Sequence, residues 1–138
     1  MKSQKTKGFT AGLTVDGVRL NDIKEFSSPE ALGKRVIDVE IKKDDDWYMS
    51  DPLTMKRDLR RTRLLSAEEM MNPFSYVLDY QLDSSRGFKR NLVRSIVDKK
   101  KLYIFTVQCD QDLYESDPSI RDTAKNLINS FRLKSAEN

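Results

Sequence analysis

The side chains that most often carry catalysis are scarce in this chain. Its 138 residues include no histidine and a single cysteine, Cys109. Histidine is the commonest metal ligand and the usual acid–base group near neutral pH, and a lone cysteine can build neither a zinc site nor an intrachain disulfide. The sequence also contains no phosphate-binding loop, dinucleotide fingerprint or nucleophile elbow. We therefore predict no catalytic residues and a non-enzymatic protein.

Two acidic runs offer oxygen atoms that a hard cation could use. The first is Asp44-Asp45-Asp46, and the second contains Asp110, Asp112, Glu115 and Asp117. A calcium loop needs a turn-forming glycine and a terminal bidentate acid at defined spacing, and both runs lack them. We interpret both runs as solvated loops, the second leading into a helix. We predict no metal site and no cofactor, with weak binding of Ca²⁺ or Mn²⁺ by carboxylates as the alternative.

The basic side chains are clustered, and they are the predicted partner-binding residues. Because the formal net charge is only +3, an anionic partner would be attracted by local clusters rather than by overall charge. Arginine dominates these clusters, and its planar guanidinium suits bidentate pairing with carboxylates. The predicted residues are Lys56, Arg57, Arg60, Arg61 and Arg63 in the first cluster and Arg86, Lys89 and Arg90 in the second.

The elements that must position these residues are most clearly marked between Phe74 and Cys109. Apolar and aromatic residues alternate with polar ones from Phe74 to Leu82, the period of two expected for a strand with one buried face. Turn residues at 83–87 and 98–101 divide the stretch into three antiparallel strands. The last strand has apolar groups on both faces, which predicts a position in the middle of a covered sheet. Its final residue, Cys109, is then a buried, neutral thiol.

Two helices are predicted to pack on this sheet. Pro29–Glu40 follows a serine cap, with proline at the first helical position and an acid in the first turn. Ser119–Phe131 carries an apolar stripe at helical spacing. Before them, residues 9–15 and 18–23 are predicted as strands around the turn dipeptide Asp16-Gly17. The predicted fold class is α+β, an antiparallel sheet flanked by helices.

The length predicts one domain, which we place at residues 9–138 after a flexible basic tail at residues 1–8. No apolar run approaches the ~20 residues of a membrane span. The first residues lack the apolar region of a signal peptide, so we expect the mature form of any precursor.

These strands, a helix start and the last helix together resemble the PsbP family of photosystem-associated thylakoid proteins. The helix start is Phe26–Glu30. The matching strand and helix positions are Tyr76, Leu78, Asp79 and Tyr80, then Lys89, Arg90 and Asn91, then Leu102, Tyr103, Val107 and Gln108, and finally Ser130 and Phe131.

The resemblance implies a PsbP-like α/β/α sandwich that acts as an extrinsic subunit or an assembly or stabilising factor of a photosynthetic membrane complex. It implies peripheral association with photosystem or other thylakoid membrane subunits in the chloroplast thylakoid lumen, as in the oxygen-evolving complex. Asn91 stands where the family usually has histidine, so a zinc or manganese site carried over from the family would lose its nitrogen ligand. Family members usually begin with an additional hairpin, so we expect an edge covered by a partner, another chain or the N-terminus.

Two alternatives belong to other functional classes. The first is a nucleic-acid-binding module that uses Lys56–Arg63, which we disfavour because Tyr76, Tyr80 and Tyr103 are predicted to be interior and no aromatic platform remains. The second is a small-GTPase-binding protein of the nuclear-transport type, which shares this fold.

Overall fold

The computed structural model describes residues 4–6, 9–26, 28–43, 62–84 and 87–133. The elements in chain order are β1 (Gln4–Thr6), β2 (Phe9–Gly17), a 3₁₀ helix (Ile23–Phe26), α1 (Pro29–Lys43), β3 (Arg63–Met70), β4 (Ser75–Ser84), β5 (Gly87–Asp98), β6 (Lys101–Asp110), α2 (Gln111–Ser116) and α3 (Pro118–Ser130). The strands form an antiparallel sheet in the order β1-β2-β6-β5-β4-β3. The α+β fold class is confirmed.

Two successive hairpins, β4–β5 and β5–β6, form the centre of the sheet, as the alternation predicted. Leu78 of β4 lies opposite Val93 of β5, and Val93 lies opposite Thr106 of β6. The side chain of Leu78 is fully buried. β6 pairs with β5 on one side and β2 on the other, which explains why it carries apolar groups on both faces.

Each face of the sheet has its own hydrophobic core. On the first face, α1 contacts β3 and β4. The buried residues of this core are Ile23, Leu32, Tyr76, Leu78, Tyr80, Leu82, Val93 and Val97. On the second face, α2 and α3 contact β5 and β6. The buried residues there are Phe9, Ala11, Leu92, Phe105, Val107, Cys109, Tyr114, Ala124 and Ile128. The result is a three-layered α/β/α sandwich, as predicted.

Helix α1 begins as the sequence predicted and runs three residues further. The Oγ of Ser28 accepts a hydrogen bond from the Ala31 N–H at 3.1 Å, and Pro29 is the first helical residue. Gly33 faces β3, where an added Cβ would lie only 2.7 Å from Cδ2 of Leu64. The missing side chain at Gly33 therefore lets α1 lie close against β3. None of the described helices is long and apolar enough to cross a bilayer.

The N-terminal region departs from the predicted flexible tail. Residues 4–6 form β1, which pairs with β2 so that Lys5 lies opposite Thr10. This pairing covers the outer backbone groups of the first three residues of β2, Phe9 to Ala11. Of the three covers expected for that edge, the chain's own N-terminal residues provide this part.

The strand predicted at residues 18–23 is wrong. β2 continues through Asp16 and Gly17, because Gly17 pairs with Lys101 of β6. The chain then turns into the 3₁₀ helix, where the Glu25 carboxylate accepts hydrogen bonds from the N–H groups of Asn21 and Asp22. A side chain that binds its own backbone in this way favours a turn over a strand.

The acidic loop predicted after β6 is in fact helical in part. Residues 111–116 form α2, with Gln111 and Tyr114 buried on one side. Asp112 and Glu115 remain exposed on the other side. Because this segment is rich in acids, its amphipathic pattern was not recognised in the sequence. Tyr114 is the aromatic residue on its buried side.

Candidate partner-binding surface

Most of the first basic cluster lies outside the described residues, namely Lys56, Arg57, Arg60 and Arg61, and so does Arg86 of the second. Arg63 is described and begins β3, the edge strand, opposite Gln81 of β4. Its side chain is exposed. Arg63 is therefore placed where a partner could reach it.

Lys89 of the second cluster already has an acidic partner in the domain. Its Nζ lies 2.5 Å from Oδ1 of Asp110, and the two side chains are 22% and 45% exposed. The two residues lie opposite each other in the pairing of β5 with β6. This ion pair ties one acid of the predicted loop to the sheet.

Arg90 makes more contacts within the domain than Lys89 does. Its Nε and one terminal nitrogen donate to the two carboxylate oxygens of Asp79 at 2.5 and 2.9 Å. The guanidinium also lies over the ring of Tyr114, 4.3 Å from the centroid. Burial alone would lower the pKa of Arg90, but the hydrogen bond and charge of Asp79 outweigh it and leave that pKa raised. Arg90 thus fastens α2 to the sheet, and its charge is already compensated.

A buried arginine that sequence reasoning missed, Arg94, lies four residues further along β5. Its side chain is fully buried. Nε donates to Ser75 Oγ at 2.8 Å, and the two terminal nitrogens donate to backbone carbonyls. The carbonyl acceptors within 3.0 Å belong to Met71, Pro73, Ile128 and Asn129. Burial, followed by the charge of Arg132, lowers the pKa of Arg94.

The guanidinium of Arg94 caps the carboxyl end of α3 and also donates to carbonyls of the turn between β3 and β4. The last carbonyls of a helix lack partners within the helix, and a cation there also opposes the negative end of the helix dipole. The signal was available in the sequence, because Arg90, Leu92 and Arg94 must share one face of a strand. Side chains on that face point under the helices.

Of the four described acids considered as metal ligands, three have structural roles, and the fourth, Asp112, is exposed. Asp110 pairs with Lys89, Glu115 accepts from Gln111 Nε2 at 2.7 Å, and Asp117 caps α3 by accepting from Ser119 N–H at 3.0 Å. The hydrogen bonds from Ser119 lower the pKa of Asp117. Asp44-Asp45-Asp46 lies outside the described residues. Within the part of the chain that is described, no cluster of histidine, cysteine, aspartate or glutamate side chains could hold a metal ion.

Asn91 and Cys109 are both interior. Asn91 is 2% exposed, and the structure gives its Oδ1 no hydrogen-bond partner among the described residues. The residue at the family's histidine position thus faces the core rather than the surface. Cys109 is also 2% exposed, and burial raises the pKa of its thiol from 9.0 to about 11. The sulfur is therefore a neutral core group at physiological pH.

A groove of about 560 Å³ lies between α1 and the sheet. Its apolar lining residues are Val18, Leu32, Val36, Val39, Val93, Leu102 and Ile104. Its polar lining residues comprise carboxylates, one guanidinium and hydroxyls.

The fold and the surface together define the class of protein. It is a small α/β/α sandwich in which Lys89, Arg90 and Arg94 bind acids or backbone carbonyls within the fold, and one exposed arginine, Arg63, begins the edge strand β3. The chain belongs to the PsbP family, because the PsbP family model matches residues 10–133. The resemblance that the sequence suggested is confirmed.

Two relatives illustrate the match. The chain is 25% identical over 124 residues to PsbP domain-containing protein 2, chloroplastic, of Arabidopsis thaliana, which covers 87% of this chain and 48% of that protein. The chain therefore spans about half the length of this curated relative. The solution structure of cyanobacterial PsbP (CyanoP) from Synechocystis sp. PCC 6803 matches with a TM-score of 0.59 and 13% identity, over 86% of this chain and 65% of that one. At that identity the match supports the fold alone.

Proposed function

We propose that the protein is a non-enzymatic extrinsic subunit, or an assembly or stabilising factor, of a photosynthetic membrane complex. We place it on the lumenal side of the chloroplast thylakoid, held peripherally by photosystem or other membrane subunits. The observation that carries this proposal is the family match, which runs from residue 10 to residue 133. The chloroplastic relative in Arabidopsis thaliana supports the compartment.

The structure supports a binding role through what its ionisable side chains do. Lys89, Arg90 and Asp110 form ion pairs, Arg94 and Asp117 bind backbone groups, and Cys109 is buried. Each group is committed to holding the fold. A protein whose reactive side chains are used in this way offers a surface rather than an active site.

The contact with the partner is proposed to run through the first basic cluster, Lys56 to Arg63. Arg63 is exposed at the start of the edge strand. In the second cluster Lys89 and Arg90 already pair with Asp110 and Asp79. A partner carboxylate would have to displace those acids, so the first cluster contributes more.

The test replaces Arg60, Arg61 and Arg63 together by glutamine and measures binding to photosystem-containing membranes stripped of extrinsic proteins. Exposed ion pairs contribute about 0.2–1 kcal/mol each, so loss of three should raise the dissociation constant roughly 3- to 150-fold. Raised salt should release the wild-type protein by screening. Cross-linking mass spectrometry on the same membranes should then join the protein to photosystem subunits.

The matched control replaces three exposed lysines on the helices, Lys34, Lys42 and Lys125, by glutamine, which removes the same charge elsewhere. Binding that survives both the arginine triple change and molar salt would rule out the electrostatic mode. Cross-links to no photosystem or thylakoid subunit would contradict the proposed function itself.

The nucleic-acid alternative is weakened, because Tyr76 and Tyr80 are 1% and 4% exposed and cannot stack on bases, whereas Tyr103 is half-buried. The small-GTPase alternative rests only on a shared fold, and a fold does not determine a function.

A further inference from the structure

One end of the sandwich carries a cluster of lysines on a tight turn. Asp98 and Lys101 are paired as the last and first residues of β5 and β6, so Lys99 and Lys100 form a two-residue hairpin loop. All three lysines, Lys99, Lys100 and Lys101, are exposed. Their ammonium groups extend beyond the end of the sheet.

The backbone of this turn does not favour lysine. Lys99 has a φ of 51° and Lys100 a φ of 62°. Positive φ at both central residues is the mark of a type I′ turn, for which Asn-Gly is the relaxed sequence. Side chains with a Cβ are strained there, and such strain concentrates at functional positions. Lys99 and Lys100 thus adopt a left-handed backbone conformation that asparagine and glycine adopt more easily.

Further cations lie at the same end of the sandwich. β2 ends beside the turn, and the N–H of Val18 donates to the carbonyl of Lys100 at 2.9 Å. The exposed cations nearby in the fold are Arg19, which follows β2, Lys24 of the 3₁₀ helix, and Arg132, which follows α3. The acids at this end are Asp16, Asp22, Glu25 and Asp98, together with Glu30 and Glu69, whose charges act on Tyr76. Asp22 and Glu25 accept backbone N–H bonds in the turn before α1.

The opposite end carries charges of both signs in the described structure. β6 ends there at Asp110, α2 carries Asp112 and Glu115, and Asp117 precedes α3. Arg63, Lys89, Arg90 and Arg121 lie at that end too, and the last three bind acids or backbone carbonyls. What distinguishes the lysine end is three adjacent, exposed lysines on one turn, which an anionic surface would attract.

An exposed apolar side chain belongs to the lysine end as well. Met71 lies in the turn between β3 and β4 and is 64% exposed. Ser75 and Tyr76 begin β4, and Tyr76 lies opposite Ser95, near the end of β5, so the two turns project from the same end. Methionine is flexible and apolar, and it adapts to irregular apolar surroundings.

We propose that this end docks on a lipid bilayer that carries anionic headgroups, with Lys99, Lys100 and Lys101 against the headgroups and Met71 entering the boundary with the acyl chains. Lysines on long stems suit the diffuse charge of a lipid surface, whereas planar recognition of carboxylates in a protein favours arginine. The nearby methionine adds the apolar contact that peripheral membrane proteins use beside their cations. This surface differs from the arginine cluster of the proposed function and requires no photosystem subunit.

The experiment measures co-sedimentation with phosphatidylcholine vesicles and with mixed phosphatidylcholine–phosphatidylglycerol vesicles at low salt. We expect binding to the mixed vesicles only, with release at high salt. Replacing Lys99, Lys100 and Lys101 by glutamine should lower the partition coefficient about 100-fold. The glutamine control at Lys34, Lys42 and Lys125 should lower it much less, and Met71→Ser should cause a smaller loss than the lysine triple change.

A second variant separates charge from folding. Lys99→Asn with Lys100→Gly gives the turn its relaxed sequence, so its melting temperature should rise while its lipid binding falls. The proposal is overturned if the wild type binds neither vesicle or both equally, or if the two lysine triple changes have equal effects. It is also overturned if these lysines matter only for binding to photosystem preparations, which would identify the surface as a protein contact.

Discussion

On one face of the sheet α1 lies over Tyr76, Leu78 and Leu82, whereas on the other face α3 ends over the guanidinium of Arg94. The first contact is apolar throughout its buried core and is brought close by Gly33. The second combines an apolar core with the buried cations of β5. The comparison shows that one helix layer is held on the sheet by apolar packing and the other partly by the hydrogen bonds of a buried arginine.

The buried guanidinium is unusual in what it binds. Its hydrogen bonds in the described structure go to Ser75 and to backbone carbonyls, and none goes to a carboxylate. A buried charge is costly unless it is fully hydrogen-bonded. Here Arg94 supplies donors to carbonyls at the end of α3 and in the 71–73 turn. The arginine and the carbonyls therefore satisfy each other.

The largest expected effect comes from Arg94→Met, which keeps the length and removes the donors. Each buried acceptor left without a donor costs about 1–3 kcal/mol, and because the losses overlap we expect a total of about 3–5 kcal/mol in the free energy of unfolding. Urea denaturation followed by circular dichroism measures it. Arg94→Lys should lose less, since it keeps the charge but has fewer donors. A loss under about 1 kcal/mol for Arg94→Met would refute the fastening role.

The apolar face should respond through cavity formation instead. Leu78 is fully buried under α1, so Leu78→Ala should cost about 2–4 kcal/mol. Leu78→Met conserves volume and should cost less than about 1.5 kcal/mol. If the methionine variant is as unstable as the alanine variant, the α1 face depends on more than apolar packing.

The sequence predicted one face better than the other for a physical reason. Alternation from Phe74 to Leu82 and the cap at Ser28-Pro29 are local signals, and both gave the correct elements. The role of Arg94 depends on carbonyls of residues 128 and 129, more than thirty positions away, which no local pattern reveals. The α2 helix was missed because only two of its six residues are buried and two others are exposed acids.

The difference between local signals and contacts of distant residues also limited the prediction of the candidate site. The sequence identified Lys89 and Arg90 as part of a basic cluster. It could not show that they form ion pairs with Asp110 and Asp79. Alternation places Arg90 and Arg94 on the same face of β5, so it could have indicated that both point toward the helices. The lysine turn at 98–101 was visible as a turn, but its positive φ angles are a property of the folded hairpin.

The smallest expected effect tests the second face through pH. Cys109 lies in the core beneath α2 and α3, and burial raises its thiol pKa from 9.0 to about 11. Between these values the unfolded chain ionises first and binds fewer protons, so stability is complete below about pH 9 and falls as pH rises toward 11. The loss attributable to the thiol should be on the order of 2 kcal/mol. Burial also raises the pKa values of Tyr76 and Tyr114, which act in the same direction.

The decisive measurement is therefore the difference between the wild type and Cys109→Ala in urea denaturation across this range. The variant should lose less stability with rising pH. Parallel curves would show that the thiol is not desolvated by the second face.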